Sequence, residues 1–346
     1  MLKYARNLFA VAMIFVCGGG ITSAQTQQRT KVPLALADEA FWYVLHYITD
    51  GAGYFKEEGV DIDIVRASSG SRQVAIVLGG SADVAPVNMA ISLAANAGGG
   101  DAINLANVYA KMPLVVVLSN AAIKKTGITE GMAIDEKVKR LKDLKLGITS
   151  PGSGSDQVIR TLFVTRGMDP DKVVTLQPLG QGGTMLAALE QGSIDGFVFG
   201  APFPQIVESK GLGKVVINPH NDEAPEFRDL SYMGLLTTRA ALESKRPQLR
   251  AVMRAYTRGL KLAQENPAEA RRVTRSVFAS VPEDVYVSSF NEALTGLPKS
   301  LELNENQLDR TLKLMNLLSK KPIEVKYKDA ISPDLAREAS KDILGR

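Results

Sequence analysis

Three short runs of small polar residues carry the most chemistry in this 346-residue sequence: Ser68-Ser69-Gly70-Ser71, Ser153-Gly154-Ser155 and Gly180-Gln181-Gly182-Gly183-Thr184. Each follows an apolar run and precedes a helical period, where a helix should begin. A helix N-terminus offers unpaired backbone N–H groups and about half a positive charge, so it holds a small anion without Lys or Arg. Ser and Thr hydroxyls add donors, and Gly lets a ligand approach the main chain. Each run alone could equally be an ordinary N-cap in a tight turn. Three of them, divided between two halves of the chain, favour a shared ligand cleft. Trp42, the sole tryptophan, sits in the first turn of an expected helix. It is either core packing or a cleft wall that stacks on a flat ligand. Asn88 follows an expected short strand and would offer an amide, while Ala201-Pro202-Phe203 would close the cleft from the opposite side.

Signatures of catalysis mostly fail. Gly147-Ile148-Thr149-Ser150-Pro151-Gly152-Ser153 has the spacing of a phosphate loop but lacks its lysine. No G-x-S-x-G elbow occurs, and Gly180-Gln181-Gly182-Gly183 lacks the third glycine of a dinucleotide fingerprint. With two histidines, His46 and His220, and one cysteine, a zinc site is not expected. His46 falls opposite the apolar stripe of its helix and His220 in a polar loop, so both are expected to be exposed bystanders. No cofactor is expected.

The elements that would position these residues alternate. Strands are expected at 32–37, 60–65, 83–86, 103–109 and 113–119, with helical periods over 41–55, 71–79 and 91–97 between them. A Lys-rich stretch, 121–140, breaks the rhythm and marks a lobe boundary. Strands at 144–149, 173–177, 194–199 and 215–217 then build a second unit. Residues 232–238 return to the first, and about 100 mainly helical residues follow. Val77-x-x-Gly80-Ser81-x-Asp83 is echoed by Leu189-x-x-Gly192-Ser193-x-Asp195, as two lobes of one plan would produce. The expected class is α/β, at ~150 residues per domain about two lobes.

Residues 1–24 read as a cleaved signal peptide: Lys3 and Arg6, an apolar run over 8–16, then Thr22-Ser23-Ala24 for cleavage near Ala24. Bulky Phe15 and Val16 before Cys17 argue against lipid attachment there. The mature chain would be cysteine-free, nearly neutral and periplasmic. A net charge of +4 without a basic run argues against nucleic acid as a partner.

At this point the sequence resembles a family. Gly53-Tyr54-Phe55-Lys56-Glu57-Glu58-Gly59-Val60-Asp61-Ile62 is similar to a segment of bacterial ABC-transporter periplasmic substrate-binding proteins. More narrowly, it resembles the branch for nitrate, alkanesulfonates, taurine and thiamine pyrimidine precursors. Residues 141–148 followed by Ser150-Pro151-Gly152-Ser153-Gly154-Ser155, the turn Gly167-Met168-Asp169-Pro170-Asp171, and residues 188–196 resemble three further segments of that branch, in the same order. The resemblance covers residues 31 to about 265.

It implies a type II periplasmic binding protein fold, two α/β lobes joined by a two-strand hinge, with the C-terminal helices on lobe one. The expected division is 25–119 for the first part of lobe one, 120–224 for lobe two, and 225–346 for the return and C-terminal helices. Cleft positions of the family correspond to Trp42, Ser69, Gly70, Ser71 and Asn88 in lobe one. In lobe two they correspond to Ser153, Gly154, Ser155 and Thr184, with Tyr232 near the hinge. The implied function is capture of a small organic ligand (sulfonate, carboxylate or pyrimidine type) by a monomer, and delivery to ABC permease transmembrane subunits. A pyrimidine-forming enzyme of this fold and a ligand-sensing module are the alternatives. The enzyme's cysteine-rich segment has no counterpart in a cysteine-free mature chain.

Overall fold

The computed structural model describes residues 29–37 and 39–345. The expected signal peptide, Cys17 and the expected N-cap Asp38 lie outside the described residues.

Strands Thr30–Leu36 (β1) and Val60–Arg66 (β2) pair in parallel, Thr30 opposite Val60. Between them the expected single helix is divided. A 3-10 turn, Phe41–Tyr43, leads into helix Val44–Gly51, and Gly53 at φ 77 ends that run before the short helix Tyr54–Glu57. A positive φ cannot continue a right-handed helix, so the apolar spacing persists while the backbone restarts.

Strands Ala85–Asn88 (β3) and Ala102–Tyr109 (β4) flank an antiparallel partner, Met233–Thr238, which returns from late in the chain. The Ala35 N–H donates to the Val84 carbonyl at 2.9 Å and the Asp83 N–H to the Pro33 carbonyl at 2.8 Å, tying β1 to the start of β3. The remaining strands are Val115–Ser119 (β5), Lys145–Ile148 (β6), Thr175–Pro178 (β7), Gly196–Phe199 (β8) and Gly213–Ile217 (β9), and the returning strand is β10. Five of these form the second sheet, in the order β7-β6-β8-β5-β9.

The two sheets repeat one plan. In the first, the order β2-β1-β3-β10-β4 places the antiparallel β10 next to last; in the second, β5 takes that place. The sequence echo falls at equivalent points of the two. Gly80 and Gly192 have φ 74 and 68, and the following Ser N–H donates back to Ile76 and Ala188 respectively. Asp83 and Asp195 then each donate an N–H at 2.8 Å to the neighbouring strand.

Strand β5 corrects the expected first-lobe segment 25–119. It hydrogen-bonds to β8 and β9, so the first passage between sheets lies in 110–114 and not at residue 119. The sequence set the boundary where composition turns polar, but 121–140 holds helices Asn120–Thr126 and Ile134–Arg140, which cover the second sheet.

Both histidines are also corrected. His46 and His220 are buried, at 4% and 1% exposure. The His46 Nδ1 lies 3.1 Å from the Tyr256 hydroxyl, because helix Arg246–Glu265 covers the outer face of helix Val44–Gly51. A single-stripe reading does not foresee a second layer of helices. The His220 Nε2 lies 2.7 Å from Thr295 Oγ1 on helix Glu283–Thr295. Burial, with Arg66 or Lys111 adding to it, pushes each imidazole down to about 4 from 6.5. The unfolded chain therefore takes up more protons between these values, and stability falls as pH drops through that window. Urea midpoints should decline below pH 6.5, before carboxylates titrate, with up to about 3 kcal/mol lost per imidazole by pH 4. A midpoint that stays flat from pH 6.5 to 5 would contradict neutral burial.

Candidate functional site

Helix Gly70–Leu78 begins after Ser69, whose side chain accepts from the Arg72 N–H at 3.3 Å. Helix Gly154–Val164 begins after Ser153, whose hydroxyl accepts from the Ser150 N–H at 3.3 Å and the Asp156 N–H at 3.5 Å. Both starts face a cavity of about 240 Å³ between the two sheets. Of the residues singled out in the sequence, Trp42, Ser69, Gly70, Ser71, Asn88, Ser153, Gly154, Ser155 and Tyr232 line it together. Thr184 does not. Gly180 and Gln181 reach the cavity first, and at about 100° per residue the helix Gly182–Glu190 turns exposed Thr184 away.

The two lobes meet closely here. A Cβ at Gly154 would stand 3.3 Å from the Tyr232 hydroxyl, 3.1 Å from Leu114 Cδ1 and 3.7 Å from the Asn88 amide nitrogen. Trp42 packs edge-to-face on Phe199 of β8 at 5.6 Å between centroids, and a Cβ at Gly200 would stand 3.0 Å from its ring. Trp42 is thus half-buried against clusters of both lobes and also lines the cavity.

Ser155 differs from expectation. Its hydroxyl accepts from the Thr149 N–H at 2.8 Å and lies 3.1 Å from Thr149 Oγ1 and 3.0 Å from Ser153 Oγ, at 2% exposure. It holds the β6 turn in shape. Asn88 likewise spends its amide oxygen on the Ala90 N–H at 2.9 Å, capping helix Met89–Ala97 and leaving the amide nitrogen on the cavity side.

Several lining residues escaped the sequence reading, among them Tyr43, Thr149 and Phe199. Gln73 is the most informative of these. It is fully buried, donates to the carbonyls of Ala35 and Pro86 at 3.0 and 2.9 Å, and accepts from the Tyr43 hydroxyl at 3.1 Å. A glutamine four residues before Val77, on the buried stripe Gln73-Val74-Val77, was the available signal. A polar residue on such a stripe must be given partners by the fold.

Among the described residues, no charged side chain lines this cavity. Arg160 is held by Asp156 at 2.7 Å and Asp171 at 2.8 Å, and Glu39 pairs with Arg66 at 3.8 Å. Among the described residues, no cluster of His, Cys, Asp or Glu could hold a metal ion.

Comparison with known proteins agrees with this geometry. The putative binding protein YtlA of Bacillus subtilis is 23% identical over 355 residues, covering 99% of this chain and 100% of the relative. The formylaminopyrimidine-binding protein of Halalkalibacterium halodurans is 21% identical over 271 residues, 76% of each chain. Among solved structures, the ligand-binding component of an ABC-type import system from Staphylococcus aureus superposes with TM-score 0.71 at 16% identity, covering 90% of this chain and 100% of that one. The fold is the generic periplasmic binding protein fold. Residues 43–278 match the NMT1-like family, a span that holds both sheets from helix Val44–Gly51 onward, and the chain belongs to that family.

Proposed function

We propose that this chain is the solute-binding subunit of an ABC-type importer in the periplasm, and that its two lobes enclose a small flat ligand with a polar, pyrimidine-type head. The uncharged lining is the observation that carries this reading. A multiply charged ligand would be buried without a counter-charge, which is costly. At about 240 Å³ the space lies below the ~300–1,000 Å³ of sites for drug-sized molecules, and a single ring suits it. Trp42 and Tyr43 give it aromatic walls, while Asn88, Tyr232 and two helix starts give polar edges. The relative named for formylaminopyrimidine supports the same class. Closure around the ligand would create the form that docks on permease transmembrane subunits. Among the described residues, the lining holds no carboxylate, imidazole or amine for proton transfer, which supports binding over turnover.

A sulfonate or carboxylate is the second reading, favoured by the N–H groups at the starts of helices Gly70–Leu78 and Gly154–Val164. Calorimetry with 4-amino-2-methylpyrimidines, their N-formyl derivatives, alkanesulfonates and benzoates separates the two. Saturable binding of the pyrimidines alone is the expected result; binding of sulfonates alone would replace it, and binding of neither would overturn the assignment. Because Trp42 is the sole tryptophan and lines the cavity, ligand should also change the intrinsic fluorescence. Trp42→Ala should weaken binding by about 1–3 kcal/mol, the scale of lost stacking and apolar burial, with far-UV circular dichroism unchanged. Unchanged affinity in a destabilised protein would reduce Trp42 to core packing.

A further inference from the structure

The cavity does not end at its polar walls. Ser71, Ile91 and Gly152 also line a second compartment of about 520 Å³. Gly152, at φ 76, has open space where a side chain would project, so no side chain of this residue stands between the two. Beyond it, helices Met89–Ala97 and Gly154–Val164 supply two walls, and helix Glu305–Leu318 packs against both.

That third wall is apolar and well fixed. Leu314, Met315, Leu318 and Ile323 face the compartment opposite Ile91. The Asn316 side chain brackets Ile323, accepting from its N–H at 2.7 Å and donating to its carbonyl at 3.0 Å, which folds the segment after the helix back onto the compartment. Arg310 anchors the helix to the segment before β10, donating to the carbonyls of Pro225 at 3.3 Å and Arg228 at 3.1 Å. Among the described residues, the compartment's cation is Arg160, and it is taken by Asp156 and Asp171. The apolar wall lies wholly outside residues 43–278, the span shared with the family.

We propose that the ligand of this protein has two parts: a polar head in the inter-lobe cavity, and an uncharged apolar arm that passes Ser71 and Gly152 into the compartment walled by helix Glu305–Leu318. This rests on the proposed ligand-binding role of the cavity, and it sets the substrate class as amphiphilic: a small polar ring or oxyanion bearing an alkyl or aryl substituent. The residues common to both linings, Ser71, Ile91 and Gly152, set the two spaces side by side, close enough for one ligand to occupy both. Each methylene moved out of water into such a space gains about fourfold in affinity.

The test uses two probe series, N-acyl-4-amino-2-methylpyrimidines and n-alkanesulfonates, each with chains of one to eight carbons, titrated into the full-length mature protein. Affinity should rise about fourfold per carbon over several carbons in the series whose head binds. Ala94→Phe fills the compartment from an exposed position, and Leu318→Asp makes its wall polar. Either should flatten the chain-length profile while affinity for the shortest probe stays the same. A flat profile in the wild type, with a head that binds, overturns the proposal and leaves the head assignment standing. If neither head binds, the head assignment fails, and crystals under xenon decide the compartment: xenon beside Met315 that Ala94→Phe displaces supports it, and no xenon there overturns it.

Discussion

Gly154→Val is expected to weaken ligand binding at least tenfold while leaving each lobe folded. The position is the first of helix Gly154–Val164 and is not at a positive φ, so a branched residue meets no backbone strain there. The obstruction lies across the cleft. The first carbon alone would stand 3.1 Å from Leu114 Cδ1 and 3.3 Å from the Tyr232 hydroxyl, and two methyl groups extend further. Overpacking of this kind costs about 1–3 kcal/mol, and here it opposes the approach of the two lobes across the cavity. Ser155→Ala, one residue on, should act differently. Its hydroxyl holds Thr149, so the variant should lose about 1 kcal/mol of stability and little intrinsic affinity. Calorimetry and urea unfolding of the two variants should give opposite rankings. Equal affinity losses would show that the Ser155 hydroxyl meets ligand directly.

Gln73→Leu should be the most destabilising exchange near the site, by about 3–5 kcal/mol. The side chain is fully buried and serves β1, β3 and Tyr43 at once, through Ala35, Pro86 and the Tyr43 hydroxyl. Removing it takes the amide donor away from two buried carbonyls, those of Ala35 and Pro86, at roughly 1–3 kcal/mol for each group left unsatisfied. Arg72→Ala, at the exposed neighbouring position, should stay within about 0.5 kcal/mol of the parent in the same urea titration. A Gln73→Leu loss as small as that would mean water takes over the amide's contacts. Because the same contacts set Tyr43 against the cavity, affinity measured well below the unfolding transition should fall too.

Much of this architecture was legible before the structure, for a definite reason. Both sheets are made of short apolar strands separated by glycine turns, and a glycine ending a helix before an aspartate reads the same in each lobe. The N-caps were legible because Ser69 and Ser153 are local devices that act three residues away. What the sequence hid is long-range. Val115–Ser119 looks like a first-lobe strand until its partners, about 80 to 100 residues later, are known. The burial of His46 depends on a helix about 200 residues away, and the Ser155 hydroxyl could face a ligand or its own turn with the same spacing. Thr184 shows the converse limit, since a loop can reach a cavity while the third residue of its helix points elsewhere.

The position of β10 between β3 and β4 has a consequence for how the chain comes to be folded at all. A ribosome delivers the N-terminus first, yet the first sheet lacks an inner strand until Thr238 has emerged. Until then β3 and β4 have bare edges, with the all-buried β4 among them, and such edges recruit other chains. The second sheet can assemble earlier, because its inserted strand β5 is made before its partners. A chain truncated near residue 225 should therefore protect the second sheet against proteolysis while leaving the first open to cleavage and aggregation. Protein truncated there should be held by a chaperone that binds extended apolar segments, and release should follow once β10 is supplied.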